Sequence, residues 1–271
     1  SMLRRRLLAT GLLGLAACSG TSRRALAQTN NCEVHPNPAT FVLVPGAWCG
    51  SFVYNDVAEI LRRRGHRVFT PALSGLGEHS NTFSAEINLT THITDILNVI
   101  RFNELTNIVL AGHSYGGIPI SGAADQAADK VSSIVYLDAF VPRDGQTVAE
   151  LAMASGGPPP DPAAVTPASP ESSISMPMPQ ALMNEFGIPE SERWKYTPMP
   201  IATGSEPIRL TGAIENVSRK TYVWASRNPQ FEPLFEERSQ DAGWRTAVVD
   251  SHHMLMIDAP EQTARILEEA I

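Results

Sequence analysis

The chain has little charge, little cysteine and no long apolar run, and each shortage removes a class of answer. Of its 271 residues, 18% are charged and 43% hydrophobic, values of a globular protein rather than a disordered or collagen-like one. The three cysteines, Cys18, Cys32 and Cys49, have no metal-ligand spacing, and neither a metal nor a cofactor is expected. Basic residues are the scarcer charge, 21 against 28 acidic ones, for a formal charge of −7. Five of the positive charges are arginines within residues 1–27 (Arg4, Arg5, Arg6, Arg23 and Arg24), so the remainder carries −12. Such an acidic body repels phosphate backbones, which argues against nucleic acid as a partner.

The first 27 residues read as an export signal. Arg4 to Arg6 form a basic start, and the apolar stretch LLATGLLGLAA (7–17) is too short to span a bilayer comfortably. Leu15-Ala16-Ala17-Cys18 resembles a bacterial lipobox in which Cys18 is lipidated after cleavage, and Arg4-Arg5-Arg6-Leu7-Leu8 resembles a twin-arginine signal. Ala25-Leu26-Ala27 is a rival cleavage point of the ordinary kind. The expectation is an exported bacterial protein, periplasmic or membrane-anchored as a lipoprotein, touching membrane only through that lipid. With Cys18 so used, Cys32 and Cys49 either pair in an oxidising compartment or stay as small hydrophobes. Nothing in the sequence fixes the oligomeric state.

From about residue 40, strand-like and helix-like segments alternate. Phe41-Val42-Leu43-Val44 ends at Pro45-Gly46, as a buried strand meeting a turn does. Helical spacing follows over 51–64 and 90–102, with strands expected at 66–73, 107–111 and 131–138 and a helix at 115–129. His92, on the helix at 90–102, reads as a hydrogen-bonding structural residue. Residues 145–215 break the rhythm and hold twelve of the 21 prolines and five of the eight methionines. Alternation resumes with strand 220–225, helix 230–240, strand 245–250 and a closing helix at 260–270. Such an order implies one α/β domain over 28–271, with a mainly parallel central sheet and helices on both faces. The segment 145–215 is then an inserted cap over the sheet's carboxyl edge, and its Met153, Met176, Met178, Met183 and Met199, with Phe186 and Trp194, suit an adaptable apolar lid.

Gly112-His113-Ser114-Tyr115-Gly116 carries the chemistry. A G-x-S-x-G pattern alone arises by chance in roughly one chain in ten of this length. Here it follows an apolar strand and opens a helix, the setting of a nucleophile elbow, in which a tight turn lifts the serine Oγ above the sheet. A hydroxyl must lose its proton as it attacks an acyl carbon, and imidazole is suited to take it near neutral pH. His252 and His253 compete for that role.

Four stretches, FVLVPGAWCGSF (41–52), LAGHSYGG (110–117), VYLDAFVP (135–142) and DSHHMLMIDAP (250–260), resemble the α/β-hydrolase superfamily. The branch they resemble holds plant methyl-ester hydrolases, hydroxynitrile lyases and bacterial carboxylesterases. The resemblance implies the α/β-hydrolase fold, Ser114 as nucleophile, His253 as base, and an oxyanion hole made by the backbone N–H groups of Ala47 and Tyr115. His253 fits better than His252 because Met254 and Met256 follow it at the spacing the related enzymes use. Pro45 departs from the pattern, standing where a histidine usually precedes the glycine.

The acid is less plain. The resembling enzymes carry an aspartate just after the strand at 220–225, where this chain has Asn228. Asparagine can accept the Nδ1–H bond but brings no charge. Asp138 ends the strand before the insertion, at the carboxyl edge where active-site groups gather, and keeps the order Ser…Asp…His. It is the preferred acid, with Asn228, Glu232 and Glu236 as alternatives. Gly46 and Met254 occupy the places where lyase relatives need a threonine and a lysine, so cyanohydrin cleavage is the weaker reading. The expected activity is serine-dependent hydrolysis of a small or medium, apolar or aromatic carboxylic ester through an acyl-enzyme. The competing class is a ligand-binding protein of negligible turnover, which Asn228 as sole partner of His253 would favour.

Overall fold

The structure, a computed structural model, describes residues 34–156 and 174–271. In chain order the principal strands are β1 (Thr40–Val44), β2 (Arg67–Phe69), β3 (Ile108–His113) and β4 (Val131–Leu137). After the inserted segment, with its short strands β5 (Ser175–Met176) and β6 (Met199–Pro200), come β7 (Arg219–Ala225) and β8 (Trp244–Val249). Six of these form one sheet in the order β2-β1-β3-β4-β7-β8, parallel throughout. The described residues form one compact unit.

The apolar runs make this sheet because both of its faces are covered. In β1, Phe41 and Leu43 enter one core while Val42 and Val44 enter the other. The same division recurs in β3, Val109 and Ala111 against Ile108 and Leu110, and in β4, Val135 and Leu137 against Ile134 and Tyr136. That is the period-2 consequence of the pleat in a doubly covered sheet. Helices α1 (Asn55–Arg63) and α9 (Pro260–Glu268) pack together on the first face, and α2 (Leu89–Phe102) and α3 (Gly117–Gln126) on the second. Asn88 starts α2 with a reciprocal cap, its side chain accepting from the Thr91 N–H while the Thr91 hydroxyl accepts from the Asn88 N–H. His92, one turn into α2, is bonded to the Tyr115 hydroxyl at 2.8 Å and to the Ser74 carbonyl at 2.9 Å.

Several boundaries move for local reasons. The strand expected at 66–73 pairs only over Arg67–Phe69, since Pro71 lacks the N–H that continued pairing needs. Conversely β3 runs two residues further than expected, because Gly112 and His113 still pair with Tyr136 and Leu137. The helix after it opens as a 3₁₀ turn, Ser114–Gly116. A short helix, α8 (Leu255–Asp258), follows the histidine loop where none was expected. In the insertion, α4 (Val148–Ala154), α5 (Gln180–Glu185) and α6 (Ala202–Ser205) accompany the antiparallel β5–β6 pair. Trp194, expected in an apolar lid, is 75% exposed.

His66, His92 and His113 are all buried, and burial lowers each pKa below the ordinary 6.5, that of His113 furthest. The unfolded chain therefore takes up protons before the folded one does, and folding free energy is lost as pH falls through 6.5 toward the folded values. The thermal unfolding midpoint should be level above about pH 6.5 and decline steadily toward pH 5. A midpoint unchanged over that span, followed by circular dichroism, would contradict this account.

Candidate active site

Residue 114 stands where β3 turns into α3. Its φ is +53°, in the left-handed region that non-glycine residues seldom occupy. The turn is closed by near contact of its own ends: a Cβ on Gly112 would lie 2.5 Å from the Gly116 carbonyl oxygen, and one on Gly116 would lie 2.6 Å from that of Pro45. No side chain fits at either place, which is the physical content of the glycine spacing. The second contact also brings the elbow against the loop that leaves β1.

On the neighbouring strand, Asp138 follows β4 directly, also at positive φ, +46°. Its N–H donates to the Val223 carbonyl at 2.7 Å, extending the β4–β7 ladder by one bond. The side chain is fully buried and three N–H groups face it. Ala225 N–H donates to Oδ1 at 3.1 Å, while Asn228 Nδ2 and His253 Nδ1 each lie 2.7 Å from Oδ2. With Nδ1–H donating to the carboxylate, the imidazole is the tautomer whose Nε2 is free to accept. Asn228 Nδ2 lies 3.1 Å from His253 Nδ1 because both donors converge on one oxygen. Asp138 and Asn228, weighed as rivals from the sequence, are therefore bonded to each other.

His253 is packed on several sides. Phe231 stacks nearly parallel to its ring at 5.4 Å, and Phe186 of the inserted segment lies 4.8 Å from it. The His113 ring is 4.4 Å away, and its Nε2–H donates to the His253 carbonyl at 2.9 Å. His113, which precedes Ser114, thus joins the elbow to the histidine loop. Its buried Nδ1 has no partner among the described residues, and a Cβ on Gly46 would meet that atom at 2.9 Å and the Ser114 Cβ at 3.0 Å. Sequence reading passed over His113, whose only signal was its place beside the serine.

Ala47, in the loop after β1, has a backbone N–H bonded to no acceptor among the described residues. The Ser114 hydroxyl likewise makes no hydrogen bond to a described group, so the bonded chain runs from Asp138 to His253 and stops short of Ser114. His252 is exposed and Glu232 and Glu236 are not bonded to His253. The Tyr115 side chain is buried beneath the elbow against His92. Cys49 is a free, buried thiol whose pKa burial pushes up to about 12. Its suggested partner Cys32, the lipidation candidate Cys18 and the stretch expected to be an export signal lie outside the described residues.

A model of the alpha/beta hydrolase family matches residues 41–266. A carbendazim hydrolyzing esterase from Nocardioides sp. (strain SG-4G) is 34% identical over 244 residues, which is 84% of this chain and 98% of that protein. Methylesterase 2 of Arabidopsis thaliana is 35% identical over a shorter stretch of 113 residues, 38% of this chain and 40% of the plant protein. Among solved structures, an extracellular alpha/beta-hydrolase from a Paenibacillus species superposes with a TM-score of 0.68 at 23% identity, covering 86% of this chain and 99% of that one. That protein is described as sharing structural and functional homology with tobacco salicylic acid binding protein 2; at that identity the match speaks to the fold alone. A family match over most of the chain, and a relative aligned almost end to end, establish that this chain belongs to the alpha/beta hydrolase family.

Proposed function

We propose that this chain, a carboxylic ester hydrolase by kinship, works as a serine esterase on small or medium esters with an apolar or aromatic acyl group. The observation that carries the reading is the 2.7 Å bond between Asp138 Oδ2 and His253 Nδ1, beside a serine lifted out of its strand. Asp138 fixes the tautomer and stabilises the imidazolium that forms, while His253 Nε2 takes the Ser114 proton as Oγ attacks the acyl carbon. The developing oxyanion is received by the N–H groups of Ala47 and Tyr115. The proton then passes from His253 to the departing alkoxide. Water, activated by the same imidazole, hydrolyses the acyl-enzyme and frees Ser114. In unliganded enzymes the serine–histidine bond is often long and tightens only with substrate, which accommodates the unbonded hydroxyl.

Asn228 invited a ligand-binding reading as the sole partner of His253. With Asp138 on the same ring that argument lapses, and Asn228 becomes a neutral donor to the acid. Phe186 and Phe231 around His253 support a substrate with an apolar group beside the imidazole. Lyase chemistry finds no stabilising cation where Met254 sits buried.

A fluorophosphonate should label Ser114 rapidly at neutral pH, Ser114→Ala should abolish labelling, and p-nitrophenyl ester turnover should fall off as acyl length grows. Folded protein that takes up no label would end the serine-esterase reading. Asp138→Asn should reduce turnover on the order of 10⁴-fold, the effect of the same change in another serine hydrolase. Because Asn228 lies beside the same ring nitrogen, adding Asn228→Asp to Asp138→Asn should recover at least about tenfold. Turnover in Asp138→Asn within tenfold of the parent would assign the acid elsewhere.

Residues 1–27 are proposed as a lipoprotein-type export signal, on the strength of Arg4–Arg6, the apolar stretch and Leu15–Cys18. In a bacterial host, labelled palmitate should enter the protein and Cys18→Ala should prevent it; label retained in that variant would refute the assignment.

A further inference from the structure

The loop that offers the Ala47 N–H contains a bulky residue in a strained backbone conformation. Cys49 N–H donates to the Gly46 carbonyl at 3.3 Å, closing a four-residue turn with Ala47 and Trp48 at its centre. Trp48 stands third, with φ at +63°. Positive φ at that place is characteristic of type II turns, which call for glycine or asparagine there, and a bulky residue so placed is an outlier. Something other than local preference therefore holds the turn.

Two contacts, both from the inserted segment, do so. Trp48 Nε1–H donates to the Met176 carbonyl at 2.9 Å, and the Trp48 carbonyl accepts from the Thr197 N–H at 3.0 Å. Met176 and Thr197 are not independent anchors, since Met176 pairs across the β5–β6 ladder with Met199, two residues beyond Thr197. The Thr197 hydroxyl accepts from the Gly77 N–H at 2.8 Å, fastening the same piece of cap to the loop beyond β2. The indole packs against the cores on both faces of the sheet. Trp48 is thus gripped through its side chain and its backbone by one small antiparallel unit, one residue after the proposed oxyanion donor.

We propose that Trp48 is a positioning residue through which the β5–β6 unit of the cap holds the Ala47 N–H in its oxyanion-binding orientation. The inference rests on the serine-esterase reading and adds to it that the oxyanion hole is completed by the cap, not by the sheet alone. Losing the indole N–H lets the turn relax toward ordinary φ and rotates the 46–47 peptide. Substrate binding in the ground state is left nearly intact, and the transition state loses one aligned donor.

Trp48→Phe removes the N–H and keeps an aromatic ring at strained φ; Trp48→Gly removes the side chain and relieves the strain. Trp48→Phe should lower kcat and the fluorophosphonate labelling rate of Ser114 by about tenfold or more, short of the 10²–10³ typical of a deleted oxyanion donor, with KM within about twofold of the parent. Trp48→Gly, which adopts the positive φ of the turn without strain, should lose less than Trp48→Phe. Should the glycine variant fail to fold, the phenylalanine variant decides the matter alone. If folded Trp48→Phe labels and turns over as the parent does, even with a lowered unfolding midpoint, or if folded Trp48→Gly loses more than Trp48→Phe, Trp48 merely packs and the proposal falls. A parent that takes no label overturns the esterase reading and this inference with it, an outcome distinct from an active parent with an unaffected variant.

Discussion

The buried carboxylate of Asp138 is the constraint around which this end of the molecule is organised. A fully buried acid is costly unless donors surround it, and here each donor comes from a different place: Ala225 from the end of β7, Asn228 from the loop after it, His253 from the loop after β8. Neighbouring strands lie about 4.8 Å apart, so β4 and β8, separated by β7, are roughly 10 Å apart at their axes. The gap is closed by an aspartate at the last turn of one strand and a histidine leaning back from the other, with Asn228 between them. Removing any one donor leaves part of the charge unanswered. The arrangement therefore fixes the imidazole more firmly than a single ion pair would.

How much of this could be read before the fold was known divides along physical lines. The α/β architecture was legible, because a doubly covered parallel sheet demands near-continuous apolar runs and the chain supplies them at 41–44, 107–111 and 131–137. The elbow was legible in its glycines, since Gly112 and Gly116 report a backbone approach that no Cβ survives. Strand ends were less so. Nothing local in Gly112-His113 says that both residues go on pairing with β4, and Pro71 cut β2 shorter than its hydrophobicity suggested.

The relation between Asp138 and Asn228 was not legible at all. Seen along the chain they are 90 residues apart, and chemistry offers either as the partner of a histidine, so they read as exclusive alternatives. Only the sheet order, with β7 between β4 and β8, makes one the ligand of the other. His113 and Trp48 were opaque for a related reason. Each matters through a main-chain carbonyl of a remote segment, His253 in one case and Met176 in the other, and backbone carbonyls leave no mark in a sequence.

Strain is distributed to match. Five non-glycine residues among those described have positive φ: Trp48, Glu104, Asn107, Ser114 and Asp138. Three of them sit at the carboxyl edge of the sheet, at the ends of β1, β3 and β4, the three strands that are adjacent at its centre. Each such residue costs on the order of 1–3 kcal/mol and persists only where its surroundings over-determine it. The surroundings differ. Ser114 is held by the close approach of Gly112 to Gly116, Asp138 by the ladder bond to Val223 and the donors on its carboxylate, and Trp48 by the inserted segment. The first two depend on the central sheet and its loops and should survive any movement of the cap. The third does not, so the loop after β1 is the part of this edge whose geometry rests on the inserted segment.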